Sequence, residues 1–288
     1  MKKIFIVGSI NTDLVIKSPY FPKEGETLLG TGFFMARGGK GANQAVAGAR
    51  LGGNVAMCGC VGSDNLGKDA IVALQMDGID TSHIRMVDGI PTGTAIIVVV
   101  DGDNRIILDK GANGCLAERD IDAFLDNAQK GDIYLTQLEN PIDIIGYGLK
   151  KAREKGMFVV LNPAPANIEV EPYLSYCDLV VPNETEVEIL GGPEKLLEKV
   201  DTLLVTLGGD GFEIITKNGI QKYPCIKITP VDTTAAGDTL CGGLVAMFAE
   251  GESLAEAAKF GSLAASIACM KSGAQDSIPS RAKVEEYK

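Results

Sequence analysis

The residues with the clearest chemical potential lie in the run Val231-Asp232-Thr233-Thr234-Ala235-Ala236-Gly237-Asp238-Thr239, which follows an extended stretch and opens a helix. Its small residues leave backbone N–H groups uncovered at a helix N-terminus, where four donors lack intrahelical partners and the dipole favours an anion. Asp238 falls in the first turn beside that anion site. A carboxylate there can take a proton from a substrate hydroxyl while the amides hold a transferring phosphoryl group. The plainer role for Asp238 is that of a favourable first-turn acid.

Arg37-Gly38-Gly39-Lys40-Gly41-Ala42-Asn43-Gln44 looks at first like a phosphate loop. That motif needs Gly-x-x-x-x-Gly-Lys-Ser/Thr, and here Phe34 holds the first glycine position and Gly41 the hydroxyl position, so the reading fails. What remains is a Gly-rich turn into a helix with Lys40 and Asn43 near its start. Ammonium and amide donors of this kind suit a hydroxyl-rich ligand, and a solvated lysine at a helix start is the alternative. In Gly8-Ser9-Ile10-Asn11-Thr12-Asp13, Asn11 and Asp13 stand at i and i+2 and share a face at the end of the first expected strand. Strand ends are where α/β proteins bind ligands, although turn chemistry also explains such residues.

Two further segments end strands. Thr206-Leu207-Gly208-Gly209-Asp210-Gly211 is a glycine cluster without the dinucleotide-binding spacing. Asn183-Glu184-Thr185-Glu186 reads either as a helix cap or as acids placed near a metal–phosphate. The one histidine, His83, lies in a turn-like segment and is given no catalytic part.

The elements that must position these residues alternate. Strands are expected over 3–8, 55–60, 133–135, 158–161, 179–181 and 203–207, with helices over 41–51, 66–76 and 141–155. Such alternation predicts a parallel sheet covered by helices on both faces. Later, 212–216 and 220–223 flank Lys217-Asn218-Gly219, a hairpin signal, and helices follow over 237–250 and 254–270. The stretches 13–35 and 92–108 break the pattern. Both are strand-rich, with turns at Pro22-Lys23-Glu24-Gly25 and Asp101-Gly102-Asp103-Asn104. They read as an antiparallel sheet standing off the main one as a lid, or as ordinary edge strands.

With 27 basic and 38 acidic residues the 288-residue chain carries a net charge of −11, which argues against a nucleic-acid or anionic-membrane partner. No apolar run approaches the roughly 18 residues of a membrane span. Ile4–Val7 after Met1-Lys2-Lys3 ends at Gly8-Ser9, and reads as a first buried strand rather than a secretory signal. Seven cysteines, an odd number without paired spacing, read as reduced core thiols of a cytoplasmic protein.

Together, Gly8-Ser9-Ile10-Asn11, Gly38-Gly39-Lys40-Gly41-Ala42-Asn43-Gln44-Ala45, Pro182-Asn183-Glu184-Thr185-Glu186 and Asp232–Asp238 resemble the ribokinase-like (phosphofructokinase-B-type) sugar-kinase family from Ile6 to about Pro279. The resemblance implies one domain over 1–288, a three-layer α/β/α fold with a mostly parallel central sheet and a small antiparallel lid at about 13–35 and 92–108. It implies ATP-dependent phosphorylation of the 5-hydroxyl of D-ribose, with Mg2+ and a monovalent activator, K+. By that resemblance Asp238 is the base, and the amides of Ala235, Ala236 and Gly237 are the anion hole. Asn11, Asp13, Gly39, Lys40, Asn43 and Glu139 match sugar-binding positions. Asn183, Thr206, Gly208, Gly209, Asp210, Gly211, Gly237 and Ser262 match nucleotide contacts, and Glu186 acts indirectly on magnesium. Asp232, Thr234, Ala268, Lys271, Gly273 and Ser277 match the monovalent-cation site, and the lid implies a homodimer.

The chain departs from the family pattern in a short 187–205 segment, in Asp210, in Ser262 and in Leu240-Cys241. The alternative readings are a sibling kinase (deoxyribokinase, fructokinase or adenosine-type kinase) and a non-catalytic sugar or nucleotide sensor on the same fold. A sensor has no need of Asp238 as a base.

Overall fold

The protein is described by a computed structural model over residues 1–101 and 103–287. In chain order its strands are β1 (Lys3–Val7), β2 (Asn11–Lys17), β3 (Thr31–Gly38), β4 (Asn54–Gly62), β5 (Asp80–Val87), β6 (Gly93–Val100), β7 (Asp103–Asp109), β8 (Ile133–Thr136), β9 (Phe158–Leu161), β10 (Leu179–Val180), β11 (Thr202–Thr206), β12 (Phe212–Thr216) and β13 (Gly219–Tyr223). The main sheet has the order β13-β12-β11-β10-β9-β8-β1-β4-β5. From β11 to β5 every neighbouring pair is parallel, and β12 and β13 close one edge antiparallel.

The helices are α1 (Lys40–Arg50), α2 (Asn65–Met76), α3 (Glu118–Leu125), α4 (Ile142–Glu154), α5 (Glu184–Ile189), α6 (Pro193–Leu197), α7 (Ala236–Glu250), α8 (Leu254–Ala268) and α9 (Arg281–Glu285). Side chains alternate across a strand, so β1 feeds both faces of the sheet. Ile4 and Ile6 join one apolar cluster with α1, α2, α7 and α8, whereas Phe5 and Val7 join another with α3, α4, α5 and α6. This is the three-layer arrangement that strand–helix alternation predicts.

Chain order reverses beside β1, with β4 on one side and β8 on the other. At such a switch point the loops leaving the C-terminal strand ends diverge and leave a crevice. Every motif singled out above as chemical sits at or next to that end of the sheet.

The second sheet has the order β3-β2-β6-β7. It consists of two antiparallel pairs, β2 with β3 and β6 with β7, joined by a parallel contact between β2 and β6. A centre of that kind requires a long connection between its two strands, and β4, α2 and β5 of the main sheet supply it. The expected turn at Pro22–Gly25 forms, with Gly25 at φ 74°. Val100 pairs with Asp103 at the other hairpin; Gly102, in the turn expected over 101–104, lies outside the described residues.

Two expectations are corrected. Asn11 and Asp13 open the lid strand β2 rather than ending β1, which stops at Val7. His83 is in strand β5, and its ring packs 5.4 Å from that of Phe124, so the residue is structural. The 187–205 segment carries the end of one short helix, α5, and the whole of another, α6. The cysteines are free thiols among the described residues, and burial pushes the Cys60 thiol up to about 12.

Helix α7 is buried nearly all round, as a helix without a polar face must be. Its glycines set how close its neighbours come. A Cβ on Gly242 would lie 2.7 Å from the Gln44 carbonyl and from the Gly48 amide of α1, and one on Gly243 would lie 3.0 Å from the Gly261 Cα of α8. Backbone-to-backbone packing of this kind brings the first turn of α7 against the first turn of α1.

Candidate active site

Asp238, 6% exposed, stands in the first turn of α7. Asn43 donates from Nδ2 to Asp238 Oδ2 at 3.0 Å, and Gln44 from Nε2 to Asp238 Oδ1 at 2.9 Å. Both donors come from α1. Hydrogen bonds to a charged acceptor are worth about 1.5–3 kcal/mol each, so the carboxylate is held in one orientation.

The turn before it is strained. Ala235 is left-handed at φ 60°, a conformation that a residue with a Cβ adopts only under constraint. The Ala236 amide donates to the Thr233 carbonyl at 3.2 Å, whereas no such partner holds the Ala235 and Gly237 amides among the described residues. Of the three donors expected for an anion hole, two therefore stand free and one is engaged. A Cβ on Gly237 would meet nothing within 4 Å, so its backbone faces open space.

A cavity of about 200 Å³ lies over this turn, lined among others by Lys40, Asn162, Glu186, Thr206 and Asp238. Burial works against the Lys40 ammonium, yet the charges of Asp238, Glu139 and Glu186 outweigh it and hold its pKa above the ordinary lysine value. Burial raises Glu186 above the usual carboxylate range, against the Asn183 N–H and Lys40, which lower it. Glu186 and Asn183 form a reciprocal helix cap: Asn183 N–H donates to Glu186 Oε2 at 2.9 Å, and Glu186 N–H to Asn183 Oδ1 at 2.8 Å. The two readings of this motif are thus compatible, since the cap holds a buried acid at the wall of the cavity. One ammonium facing more than one carboxylate leaves net negative charge, which fits a divalent cation brought in with a polyphosphate.

On the lid side, the Asp13 carboxylate lies over Gly38, where any Cβ would come within 2.6 Å of it. Its pKa is pushed up to about 6, first by burial and then by the charge of Glu139. Glu139 Oε2 accepts from the Ser9 hydroxyl and from the Lys40 amide at 3.2 Å. Asn113 donates to Asn11 Oδ1 at 2.7 Å and to the Ile10 carbonyl at 3.1 Å, and its own Oδ1 accepts from Ile10 N–H at 2.9 Å. Gly39, at φ 88°, passes so close that a Cβ would sit 2.7 Å from the Asn11 amide. Asn11, Asp13, Gly39, Lys40, Asn43 and Glu139 are thereby gathered around one spot beside Asp238.

The opposite side of the α7 turn opens into a cleft of about 570 Å³. Asn183, Thr206, the Gly208–Gly211 turn, Gly237 and Ser262 line it, so the residues expected to contact a nucleotide meet there. Thr206–Gly211 turns into strand β12 rather than a helix, which removes a dinucleotide fingerprint. Asp210 is exposed at the rim, 3.4 Å from Lys227 Nζ. Ala236 and Gly237 border both cavities.

Of the expected monovalent-cation residues, Asp232, Thr234 and Gly273 are joined by hydrogen bonds. Asp232 Oδ1 accepts from Thr234 N–H at 2.9 Å and Oγ at 2.6 Å, and Oδ2 accepts from Gly273 N–H at 2.9 Å. Burial opposes ionisation of Asp232, but these donors outweigh it and hold its pKa below the usual value. Lys271 Nζ is tied to the Asp276 carbonyl at 2.6 Å and the Ser277 hydroxyl to the Ala274 carbonyl at 2.8 Å, so neither side chain reaches Asp232 by these bonds. Among the described residues no cluster of three acidic, histidine or cysteine side chains forms a metal site.

Sequence reasoning assigned no role to Ser9, Gln44, Asn113, Gln137 or Asn162, all buried. Gln44 stood inside the quoted glycine motif, and Gln137 and Asn162 directly follow β8 and β9, where ligands are expected. That position was the available signal.

Comparison with known proteins accords with this geometry. The pattern of the pfkB family carbohydrate kinases matches residues 1–281. The ribokinase of Haemophilus influenzae is 42% identical, with 99% of this chain and 98% of that one covered, and a deoxyribokinase of Salmonella typhi is 34% identical over 99% and 98%. Among solved structures, the ribokinase of Thermotoga maritima superposes with a TM-score of 0.91 at 37% identity, covering 100% of this chain and 99% of that one. The Arabidopsis thaliana ribokinase, solved with ribose and ATP, gives 0.86 at 31% identity over 99% and 98%. A carboxylate aimed between a donor-rich pocket and a nucleotide-sized cleft, on a fold shared along its whole length with such enzymes, places the chain in the pfkB family of carbohydrate kinases.

Proposed function

We propose that the protein transfers the γ-phosphoryl group of ATP to the 5-hydroxyl of D-ribose, giving D-ribose 5-phosphate and ADP. The observation that carries this reading is the position of Asp238: clamped by Asn43 and Gln44, at the turn whose Ala236 and Gly237 border both cavities. The sugar rests between Asn11, Asp13, Gly39, Lys40, Asn43 and Glu139, whose donors and acceptors match a polyol. The nucleotide occupies the cleft with its phosphates toward the first turn of α7.

Asp238 takes the hydroxyl proton as the oxygen attacks phosphorus. The free Ala235 and Gly237 amides, with Lys40, face the charge that develops on the transferring group. The Ala236 amide joins them when its contact with Thr233 opens. Mg2+, when bound with ATP, neutralises phosphate charge; Glu186 and Asn183 are the residues that would hold its water shell. K+, when bound, would be held by Asp232, Thr234, Ala268, Lys271, Gly273 and Ser277, several through backbone oxygens, and would stiffen the neighbouring anion turn from outside the reaction. Closing the lid excludes water, whose phosphorylation is the competing reaction.

The lid exposes apolar side chains on both faces: Met35, Ile96 and Ile107 in one row, Phe34 and Ile106 in the other. Such surface is stable when covered, which supports a homodimer formed through the lids. Among the described residues no helix is long and apolar enough to cross a membrane.

A second reading, kinase action on a 2-deoxy sugar, draws on the deoxyribokinase relative. Removing a hydroxyl leaves buried polar groups unpaired at about 1–3 kcal/mol each, so relative rates discriminate the two. The test is ADP formation with Mg-ATP and potassium against ribose, 2-deoxyribose, fructose and adenosine, with the phosphorylated position identified by NMR. Preference for ribose with a 5-phosphate product supports the reading. Preference for another acceptor replaces it, and sugar binding without turnover favours a sensor.

A further inference from the structure

We propose that Gln44 is a positioning residue for the base, and that Gln137, which has no place in either cavity wall, sets which way its amide points. The inference rests on the reading of Asp238 as the base and adds the means by which it is aimed.

Four buried groups form one directed chain. Gln137 Nε2 donates to Gln44 Oε1 at 2.6 Å. Gln44 Nε2 uses both of its protons, one on Asp238 Oδ1 at 2.9 Å and one on Asn162 Oδ1 at 3.1 Å. Asn162 Nδ2 donates to the Val181 carbonyl at 2.8 Å. Two ends of this chain are groups that only accept, the Asp238 carboxylate and the Val181 carbonyl, and Gln137 hangs from Gln44 as a third end. Chemistry therefore fixes the polarity of the two amides between them, Gln44 and Asn162, and through Gln44 that of Gln137. Gln44 must turn its nitrogen to the base and its oxygen to Gln137, and Gln137 must answer with a donor.

That polarity has a visible consequence. Gln137 Oε1 is buried without a partner, and so is Asn43 Oδ1 on the other amide that faces Asp238. Turning the Gln137 amide to relieve its oxygen would set two carbonyl oxygens against each other at Gln44. Asn43 Oδ1 is thus what remains when Asn43 commits its N–H to the carboxylate, and Gln137 Oε1 what remains when Gln137 answers Gln44, which commits its own. Gln44 is fully buried and lines neither cavity, so its effect on the substrate passes through Asp238.

The test compares Gln44→Leu, Gln137→Leu and Gln137→Glu with wild type. Gln44→Leu is expected to lower kcat about 10- to 100-fold, as misaimed bases do, with ribose affinity by calorimetry within about threefold. In Gln137→Glu the introduced carboxyl, when protonated, still donates to Gln44 Oε1. When ionised it accepts, turns the Gln44 amide over and presents its oxygen to Asp238. The ratio of variant to wild-type kcat should then fall as pH rises, while the Gln137→Leu ratio stays flat. A merely structural role moves neither ratio with pH. Wild-type kcat in Gln44→Leu, or flat ratios for both Gln137 variants, overturns the proposal.

A readout without turnover keeps the positioning claim apart from the kinase reading. The Gln44 side-chain amide protons, followed by NMR in the free protein, should exchange slowly in wild type and fast in Asp238→Ala. Fast exchange in wild type overturns the positioning claim whatever the acceptor, whereas inactivity of wild type on every sugar overturns only the kinase reading.

Discussion

Asn43 Nδ2 lies 3.0 Å from Asp238 Oδ2 although the two residues are 195 positions apart in the chain. The contact joins the first turns of α1 and α7, so the sugar-side motif and the anion-side motif form one site. Replacing Asp238 by Asn keeps the shape and removes the proton acceptor. Turnover of Asp238→Asn is expected to fall by about 10²–10⁴-fold or more, with ribose affinity close to wild type. ADP release paired with calorimetry measures both; near-normal turnover would sink the mechanism.

Glu186 caps α5 and also walls the catalytic cavity. In Glu186→Gln the amide can still meet the Asn183 N–H, so melting temperature should shift by only a few degrees. The Mg2+ concentration for half-maximal rate should rise several-fold, since the charge facing the cation is gone. An unchanged Mg2+ titration would assign Glu186 to the cap alone.

Asp13 has a folded-state pKa of about 6 against an ordinary 3.8. The folded chain holds this proton more tightly than the unfolded chain. Its contribution to stability is therefore full below about pH 4 and is lost as pH rises through 6. Two pKa units correspond to about 3 kcal/mol, an upper bound for a partly exposed group. Asp13→Asn removes the titration, so its stability relative to wild type should improve by about 1–3 kcal/mol between pH 4 and pH 8 while ribose affinity drops. Urea denaturation at the two pH values decides; an equal difference at both argues against the burial of Asp13.

Gly41 faces Gly8 so closely that a Cβ would lie 2.5 Å from the Gly8 Cα and carbonyl carbon. Backbone cannot yield as a side chain does. Gly41→Ala should destabilise by about 1–3 kcal/mol or more and also lower activity, because α1 would be pushed off the β1 end. Wild-type unfolding midpoints would refute the contact.

If the lids form the dimer, the double variant Ile106→Asp/Ile107→Asp should sediment at half the wild-type mass at micromolar concentration. Ile107 is 71% exposed in the single chain, so folding should tolerate the change. A wild-type chain that sediments as a monomer excludes the lid dimer outright.

Local sequence carried much of this protein. Alternating apolar strands and amphipathic helices specified a parallel sheet with helices on both faces, because periodicity is a local property that burial enforces. Small residues before Asp238 marked an anion turn, and the glycine pattern before Lys40 marked a helix start without a phosphate loop. Strand β5 carries no such signal, since its polar and apolar residues do not alternate cleanly, and the sequence around His83 reads as a turn for that reason.

Other features exist only in the folded chain. Asn11 and Asp13 belong to the lid because β2 pairs with β6, a parallel contact between strands far apart in sequence. The carboxylate of Asp238 is aimed by Asn43 and Gln44 because Gly242 lets α7 touch α1 backbone to backbone. The polarity of the Gln137–Gln44–Asn162 chain follows from the two acceptors it meets, the Asp238 carboxylate and the Val181 carbonyl. Residue type states what a group can donate or accept, whereas the partner it finds is set by packing among segments brought together from across the whole chain.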